Sequence, residues 1–243
     1  MGSTRLPGKV LKRVNGVALL EYEISRVRQA KKIAKIVVAT SNKRIDNQIE
    51  KLCKKIRISC FRGSENDVLD RYHQCSLRYP RYNNIIRIMG DCPLVDPTVI
   101  DETVNFFEKN NYDFASNAER NQETFPDGLD VDIFKKSALA QAAKKAKLPS
   151  EREHVIPYIR ENRRFKKGYY SASHDFSHFR LVLDEKSDFE IIKFLIKNSK
   201  LTDGYLDYIS LLTKNSEMMF KNTQIKRNEG FLKSLNEDAI IKR

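Results

Sequence analysis

Short apolar runs alternate with stretches of helical periodicity through the first half of the chain, and few architectures accept that order. Leu19, Leu20, Ile24 and Val27 recur at helical spacing. Lys35 to Thr40 is a continuous apolar run, as in a buried parallel strand. Ile45, Ile49, Leu52 and Cys53 make a second helix face, and Ile58 to Phe61 a second strand. Ser64 and Asp67 read as a capping box opening a helix that carries Val68, Leu69, Tyr72 and Cys75. Asn84 to Met89 is a third strand, followed by Gly90-Asp91-Cys92-Pro93. Asp96 and Pro97 suit N-cap and N1 of a helix through Phe106. The alternation predicts an α/β fold, a mostly parallel sheet with helices on both faces. Ligands of such sheets bind beyond the carboxyl ends of the strands. Asp91 and the amino-terminal loop therefore share one rim.

From Tyr112 the pattern changes. Phe114 to Asn117, Leu129 to Phe134 and Arg180 to Leu183 read as strands, and Ser137 to Ala146 as a helix. Ser150 and Glu153 form another capping box, on a helix that Pro157 should kink. Ser187 and Glu190 open a helix through Leu195, and the tail from Thr202 is polar. No repeat or long linker divides the 243 residues, so residues 1–243 are read as a single domain.

The net charge of +13 would permit a nucleic-acid partner. The cations are spread along the chain, however, and no RNA or DNA module signature accompanies them. The reading is a solvated basic surface, with no nucleic-acid and no membrane partner. No run of about 18 apolar residues suggests a span. Cys53, Cys60, Cys75 and Cys92 form no C-x-x-C pair and read as buried thiols in a reducing cytoplasm.

The first residues, Met1-Gly2-Ser3-Thr4-Arg5-Leu6-Pro7-Gly8-Lys9, have almost nothing to bury. Gly2 and Gly8 permit positive φ or close approach, and Pro7 holds Leu6 extended, which makes a loop. Its amides, its hydroxyls and the cations Arg5 and Lys9 suit a triphosphate; a plain surface turn is the alternative. Asp91, at a strand end, is either a capping residue or a ligand of Mg²⁺, which takes one or two carboxylates plus phosphate oxygens.

Gly2-Ser-Thr-Arg-Leu-Pro-Gly-Lys9 resembles the signature loop of the sugar cytidylyltransferases that activate acylneuraminates and 3-deoxy-manno-octulosonate. The nearest resemblance is to the spore-coat polysaccharide branch. Gly90-Asp91-Cys92-Pro93-Leu94-Val95-Asp96-Pro97 resembles that family's metal motif, with Met89 where the branch commonly has Thr. The tail Arg227-Asn228-Glu229-Gly230-Phe231 also matches, so the resemblance runs along nearly the whole chain.

The resemblance implies a three-layer Rossmann-like nucleotidyltransferase fold and use of CTP. Gly2, Ser3, Thr4, Arg5, Lys9 and Gly90 would bind the triphosphate. Asp91 and Asp184 would hold Mg²⁺, with Asp188 as a weaker candidate. Phe61 to Tyr72 would lie near the cytidine. Within that segment Arg62, Ser64 and Arg71 are nucleotide candidates, or the two arginines simply pair with Glu65 and Asp67. Residues 112–180 would form the acceptor-sugar and dimerisation subregion, with Asp127, Asp130, Arg152, Glu153 and His154 on the acceptor side. Arg152 would suit a sugar carboxylate or phosphate. Val155, Ile156, Tyr158 and Ile159 are apolar residues offered to a homodimer contact. His174 and His178 read as structural.

The expected function is Mg²⁺-dependent transfer of CMP from CTP to an acidic sugar, releasing pyrophosphate, with Arg5, Lys9 and Asp91 catalytic. The alternatives are a sugar phosphate acceptor, another nucleotide, or an inactive or nucleic-acid-binding homologue. In the resembled family a strand of about five apolar residues precedes the signature loop. Its absence here suggests that Met1 is an internal methionine and the first strand is missing from the chain as written.

Overall fold

Asp96 accepts from the amide of Thr98 at 2.7 Å with Pro97 at the first helical position, so one helix starts where its sequence says it should. In the computed structural model, which describes residues 2, 5–119, 122–227 and 229–241, the chain runs as follows. A hairpin of β1 (Arg13–Val14) and β2 (Val17–Ala18) leads into α1 (Leu19–Val27). Then come β3 (Val37–Ser41), α2 (Asn47–Lys55), β4 (Ser59–Gly63), α3 (Val68–Leu77), β5 (Asn84–Arg87) and α4 (Pro97–Asn110). β6 (Phe114–Ser116), β7 (Asp132–Lys135), α5 (Lys136–Lys145), α6 (Pro149–His154), α7 (Pro157–Glu161) and β8 (Lys167–Tyr169) form the middle. The chain closes with α8 (Lys186–Asn198), α9 (Tyr205–Thr213), α10 (Ser216–Met219) and α11 (Glu229–Ile241).

β3 and β4 pair in parallel, with Val37 opposite Ser59 and Ser41 opposite Gly63. A second sheet has the order β5-β7-β6-β8, in which β7 runs antiparallel to both neighbours and β8 parallel to β6. Among the described residues β3 pairs only with β4, and β5 only with β7. Val37, Val38 and Ala39 are accordingly half-buried rather than enclosed as the apolar run predicts.

Several boundaries differ from expectation for identifiable reasons. Leu129 and Val131 do not extend β7. The Asn117 side chain takes the place of backbone pairing there, donating to Leu129 O at 2.9 Å and accepting from Val131 N at 2.7 Å. Arg180 to Leu183 is not a strand but an extended segment with one bridge, Asp127 to Arg180. Its partner turns away at Gly128, where φ is +99°. Asp67, not Ser64, caps α3 by accepting from Asp70 N at 2.9 Å. α6 begins at Pro149, with Glu151 accepting from Leu148 N at 2.9 Å, so Ser150 and Glu153 form no capping box. Ser150 instead donates to Asp238 of α11. α8 begins at Lys186, where Asp188 accepts from Glu185 N at 2.9 Å, ahead of the expected start at Ser187. Pro157 opens α7 rather than kinking one helix. The break before it is a γ-turn at Val155, where φ is +72° and Ile156 N meets His154 O at 2.8 Å.

The main core joins α1, α4, α8 and α9 to the loop residues Leu94, Val95, Leu129, Leu181 and Leu183. A second cluster holds Phe114, Phe134 and Leu139 together with Val155, Ile156 and Ile159. Those last three, offered above to a dimer contact, are buried inside the chain's own core. Cys53 and Cys92 are buried, while Cys60 and Cys75 are only partly so.

Candidate active site

The loop is anchored by the residue that the sequence reading gave nothing to do. Leu6 is 4% exposed, in the main core, while Gly8 takes a left-handed φ of +66° and opens a 3-10 turn over Lys9–Leu11. That turn directs Lys9 into the molecule. Its ammonium lies 2.6 Å from Asp91 Oδ2 and 2.8 Å from Asp184 Oδ1. Arg5 reaches Asp184 at 3.1 Å, Glu185 at 3.4 Å and Glu229 of α11 at 3.2 Å.

The two carboxylates are held together by the backbone. Leu183 N donates to Asp91 O at 2.8 Å, and Leu181 N to Asp127 O at 2.7 Å. Gly128 permits this approach, since a Cβ there would sit 2.5 Å from Val182 N. Beneath lies Arg180, whose guanidinium spans Asp127 at 2.7 Å, Asp188 at 3.0 Å and Asp184 at 3.2 Å. Asn222 completes Asp188 at 2.8 Å. Asp188 thus serves as a cap and an ion-pair partner in the floor.

Charge follows geometry. Burial pulls the Lys9 ammonium down, but Asp91 and Asp184 outweigh it and raise its pKa. Burial pushes the Asp184 carboxyl up, and Lys9, Arg5 and Arg180 together bring it below the ordinary range. Glu23 of α1 is buried, and burial followed by Asp91 raises its carboxyl well above normal. Asp91 and Asp184 already share one cation between two oxygens, so a hard cation such as Mg²⁺ suits the same pair. Among the described residues no cluster of three or more ligating side chains exists, so water and substrate oxygens would complete its shell.

A cleft is lined by Met89, two residues before Asp91, with Arg87, Asp130, His154, Arg160, Arg227 and Phe231 among its other walls. Arg227 links cleft to floor, donating to Asp130 at 2.7 Å and lying 3.5 Å from Asp127. Burial raises the Asp127 carboxyl and lifts that of Asp130 to about 7, with Arg227 opposing both shifts.

The family model of the cytidylyltransferases matches residues 1–225. The chain belongs to the cytidylyltransferase family. It is a nucleotidyltransferase, and its relatives place it with the sugar cytidylyltransferases of the spore-coat branch. A spore coat polysaccharide biosynthesis protein of Bacillus subtilis is 33% identical over 229 residues, covering 89% of this chain and 92% of that one. The structure of a cytidylyltransferase from Leptospira borgpetersenii superposes with a TM-score of 0.86 at 35% identity, covering 93% of this chain and 95% of that one. An 8-amino-3,8-dideoxy-manno-octulosonate cytidylyltransferase of a Shewanella species is 30% identical over 115 residues, 46% of each chain.

Within this cytidylyltransferase Arg5, Lys9, Asp91 and Asp184 meet at one point. Ser3 and Thr4 lie outside the described residues. Gly2 sits near Glu65, and Gly90 has open space, with Leu20 Cδ1 at 3.9 Å the nearest atom to a Cβ built there. Arg62 is committed to Ser41 O at 2.5 Å and Glu50 at 2.8 Å, tying β4 to α2 rather than pairing with Glu65 or Asp67. Ser64 accepts from Asp67 N at 3.0 Å, and its carbonyl accepts from Arg71 at 2.8 Å. Arg152 is bound to Asp67 through both Nε and Nη2 and donates to Ala143 O at 2.9 Å, so its fork is occupied. Glu153 and His154 both engage Ser234 of α11, at 2.6 Å and 3.0 Å. Arg180, Arg227 and Arg160 were not singled out from sequence; each owes its place to long-range contacts that local pattern does not carry.

Proposed function

We propose that this cytidylyltransferase transfers CMP from CTP to a hydroxyl of a sugar acid, as a step toward a surface polysaccharide. The observation that carries the reading is the Lys9 ammonium held between Asp91 and Asp184 with Arg5 beside it. In this reading Arg5 and Lys9 turn to the triphosphate and neutralise the charge that builds on departing pyrophosphate. The acceptor oxygen bonds to the α-phosphorus, the α–β anhydride bond breaks, and the hydroxyl proton passes to solvent. Asp91 and Asp184 would hold Mg²⁺, which supplies charge neutralisation and orientation at the phosphates when bound. The sugar-acid acceptor is supported by the octulosonate cytidylyltransferase relative, and the polysaccharide destination by the spore-coat one. Asp130 and His154 border the cleft proposed for the acceptor; Asp127 is tied to it through Arg227, and Glu153 shares Ser234 with His154.

Among the described residues no helix is long and apolar enough to cross a membrane. A cytoplasmic enzyme fits four free thiols. A homodimer through residues 112–180 remains part of the proposal, by way of surfaces other than the buried Val155 and Ile159.

The test is pyrophosphate release with each of the four nucleoside triphosphates against a panel of sugar acids and sugar phosphates. Release confined to CTP with a sugar acid, and lost without Mg²⁺, is expected. Turnover with a sugar phosphate alone, or with another nucleotide, would replace the acceptor or base assigned here.

A further inference from the structure

Among the described residues three arginines line the cleft beside the transfer centre, and two of them are already spoken for. Arg87 donates to Asp132 at 2.7 Å, and Arg227 to Asp130 at 2.7 Å. Arg160 differs. Its side chain is only 10% exposed, and its nearest carboxylate is the surface residue Glu161, at 3.6 Å from Nε, beyond hydrogen-bonding distance. Nε is buried with no hydrogen-bond partner; the Arg227 Nε shares that state, but that arginine is held by Asp130 and lies 3.5 Å from Asp127. The guanidinium instead lies over the Phe231 ring of α11, 5.8 Å from its centroid. Phe231 in turn meets the His154 ring edge-on at 5.0 Å.

A buried donor nitrogen without an acceptor costs stability, and Nε is the Arg160 nitrogen so placed; a ligand seated in the cleft would complete it. Arginine matches the planar oxygens of a carboxylate, or the oxygens of a phosphate, through paired donors. The acids of the same cleft do not compete equally, since Asp132 and Asp130 are engaged by Arg87 and Arg227. Glu123, the remaining acid of the lining, is an acceptor for sugar hydroxyls. Met89 lines the cleft just before Gly90-Asp91, so an acceptor seated there adjoins the transfer centre.

We infer that Arg160, stacked on Phe231, binds the anionic group of the acceptor sugar. Arg152, bound to Asp67, is not that group's partner. The inference rests on the sugar-acid reading above for its substrate class, and it makes α11 part of the acceptor site through Phe231.

The experiment uses the full chain and the variants Arg160→Met and Arg160→Lys. Arg160→Met keeps bulk and removes a buried charge, so its melting temperature should equal or exceed that of the unaltered protein. Its KM for the acceptor should rise at least about tenfold while its KM for CTP stays within about twofold. Arg160→Lys should recover part of the loss. A second readout needs no turnover. The Arg160 Nε–H resonance, assigned by its absence from Arg160→Lys, is followed while 3-deoxy-manno-octulosonate or inorganic phosphate is added. A shift with the sugar acid alone supports a carboxylate partner, and a shift with phosphate alone a phosphate partner; both uphold Arg160 as the anion site. No shift with either, or an unstable Arg160→Met whose acceptor KM is unchanged, overturns the inference and leaves the reaction standing. A shift without pyrophosphate release from any pair upholds Arg160 and overturns the reaction.

Discussion

Leu183 donates its amide to the carbonyl of Asp91 at 2.8 Å. This single bond joins two distant segments so that Asp91 and Asp184, the residue after Leu183, face the same ammonium. The site is therefore assembled by backbone pairing, with the side chains of Asp91 and Asp184 meeting Lys9 on that frame.

Asp91→Asn keeps the volume and removes the charge. Turnover should fall by about 100-fold or more, the scale of losing one electrostatic stabiliser. Circular dichroism and thermal melting should be nearly unchanged, because Asp91 holds the fold through its carbonyl. An unaltered rate and Mg²⁺ dependence would remove Asp91 from the metal role.

Lys9→Ala should raise the KM for CTP about 10- to 100-fold, as expected for a charged hydrogen bond worth about 1.5–3 kcal/mol. The KM for the acceptor should barely move. Equal effects on both substrates would place Lys9 elsewhere in the reaction. The variant should also melt differently with pH. Lys9 helps hold the Asp184 carboxyl below its ordinary range. A depressed carboxyl contributes stability above its unfolded pKa and loses it as pH falls through the folded one. The variant should therefore lose less stability than the unaltered protein on acidification below about pH 4.

Arg26 is fully buried on α1, donating to Val95 O at 2.7 Å and Leu201 O at 2.7 Å and lying over the Tyr208 ring. It ties the loop after Asp91 to the chain ahead of α9. Arg26→Ala strands the Val95 carbonyl, leaves Leu201 O with Gln29 alone at 3.3 Å, and opens a cavity. A loss of about 3 kcal/mol in denaturant unfolding is expected. A loss under about 0.5 kcal/mol would mean the loop is held by other contacts.

What the sequence made legible was whatever depends on neighbours along the chain. Asp96-Pro97 marked a helix start, and Asp91 stood out because it follows an apolar strand. The loop cations Arg5 and Lys9 were legible through their motif. Ser150 misled because its local signal is that of a cap, while its hydroxyl answers Asp238, far along the chain. Arg152 was put on the acceptor side by the resemblance, and only the structure shows its guanidinium paired with Asp67, far along the chain. Arg180 and Arg227 were unreadable because each meets Asp127, and Arg227 also Asp130, from far along the chain.

Glu23→Gln isolates a charge that the fold does not welcome. Glu23 is 5% exposed and Oε2 has no hydrogen-bond partner, with burial and then Asp91 pushing its carboxyl well above normal. A carboxyl raised in the folded state is the reverse of the salt-bridged case. The stability it allows is present below the unfolded pKa and lost as pH rises through the folded value. Glutamine has the same shape and no such penalty. The melting temperatures of the two proteins should nearly coincide at about pH 4, below the ordinary glutamate value of about 4.3. They should separate as pH rises toward 9, with Glu23→Gln the more stable, and about 1 kcal/mol would appear as roughly 2–4 °C. A constant difference between pH 5 and 9 would show that Glu23 does not titrate there, and a gap that narrows with rising pH would reverse the sign assigned to its burial.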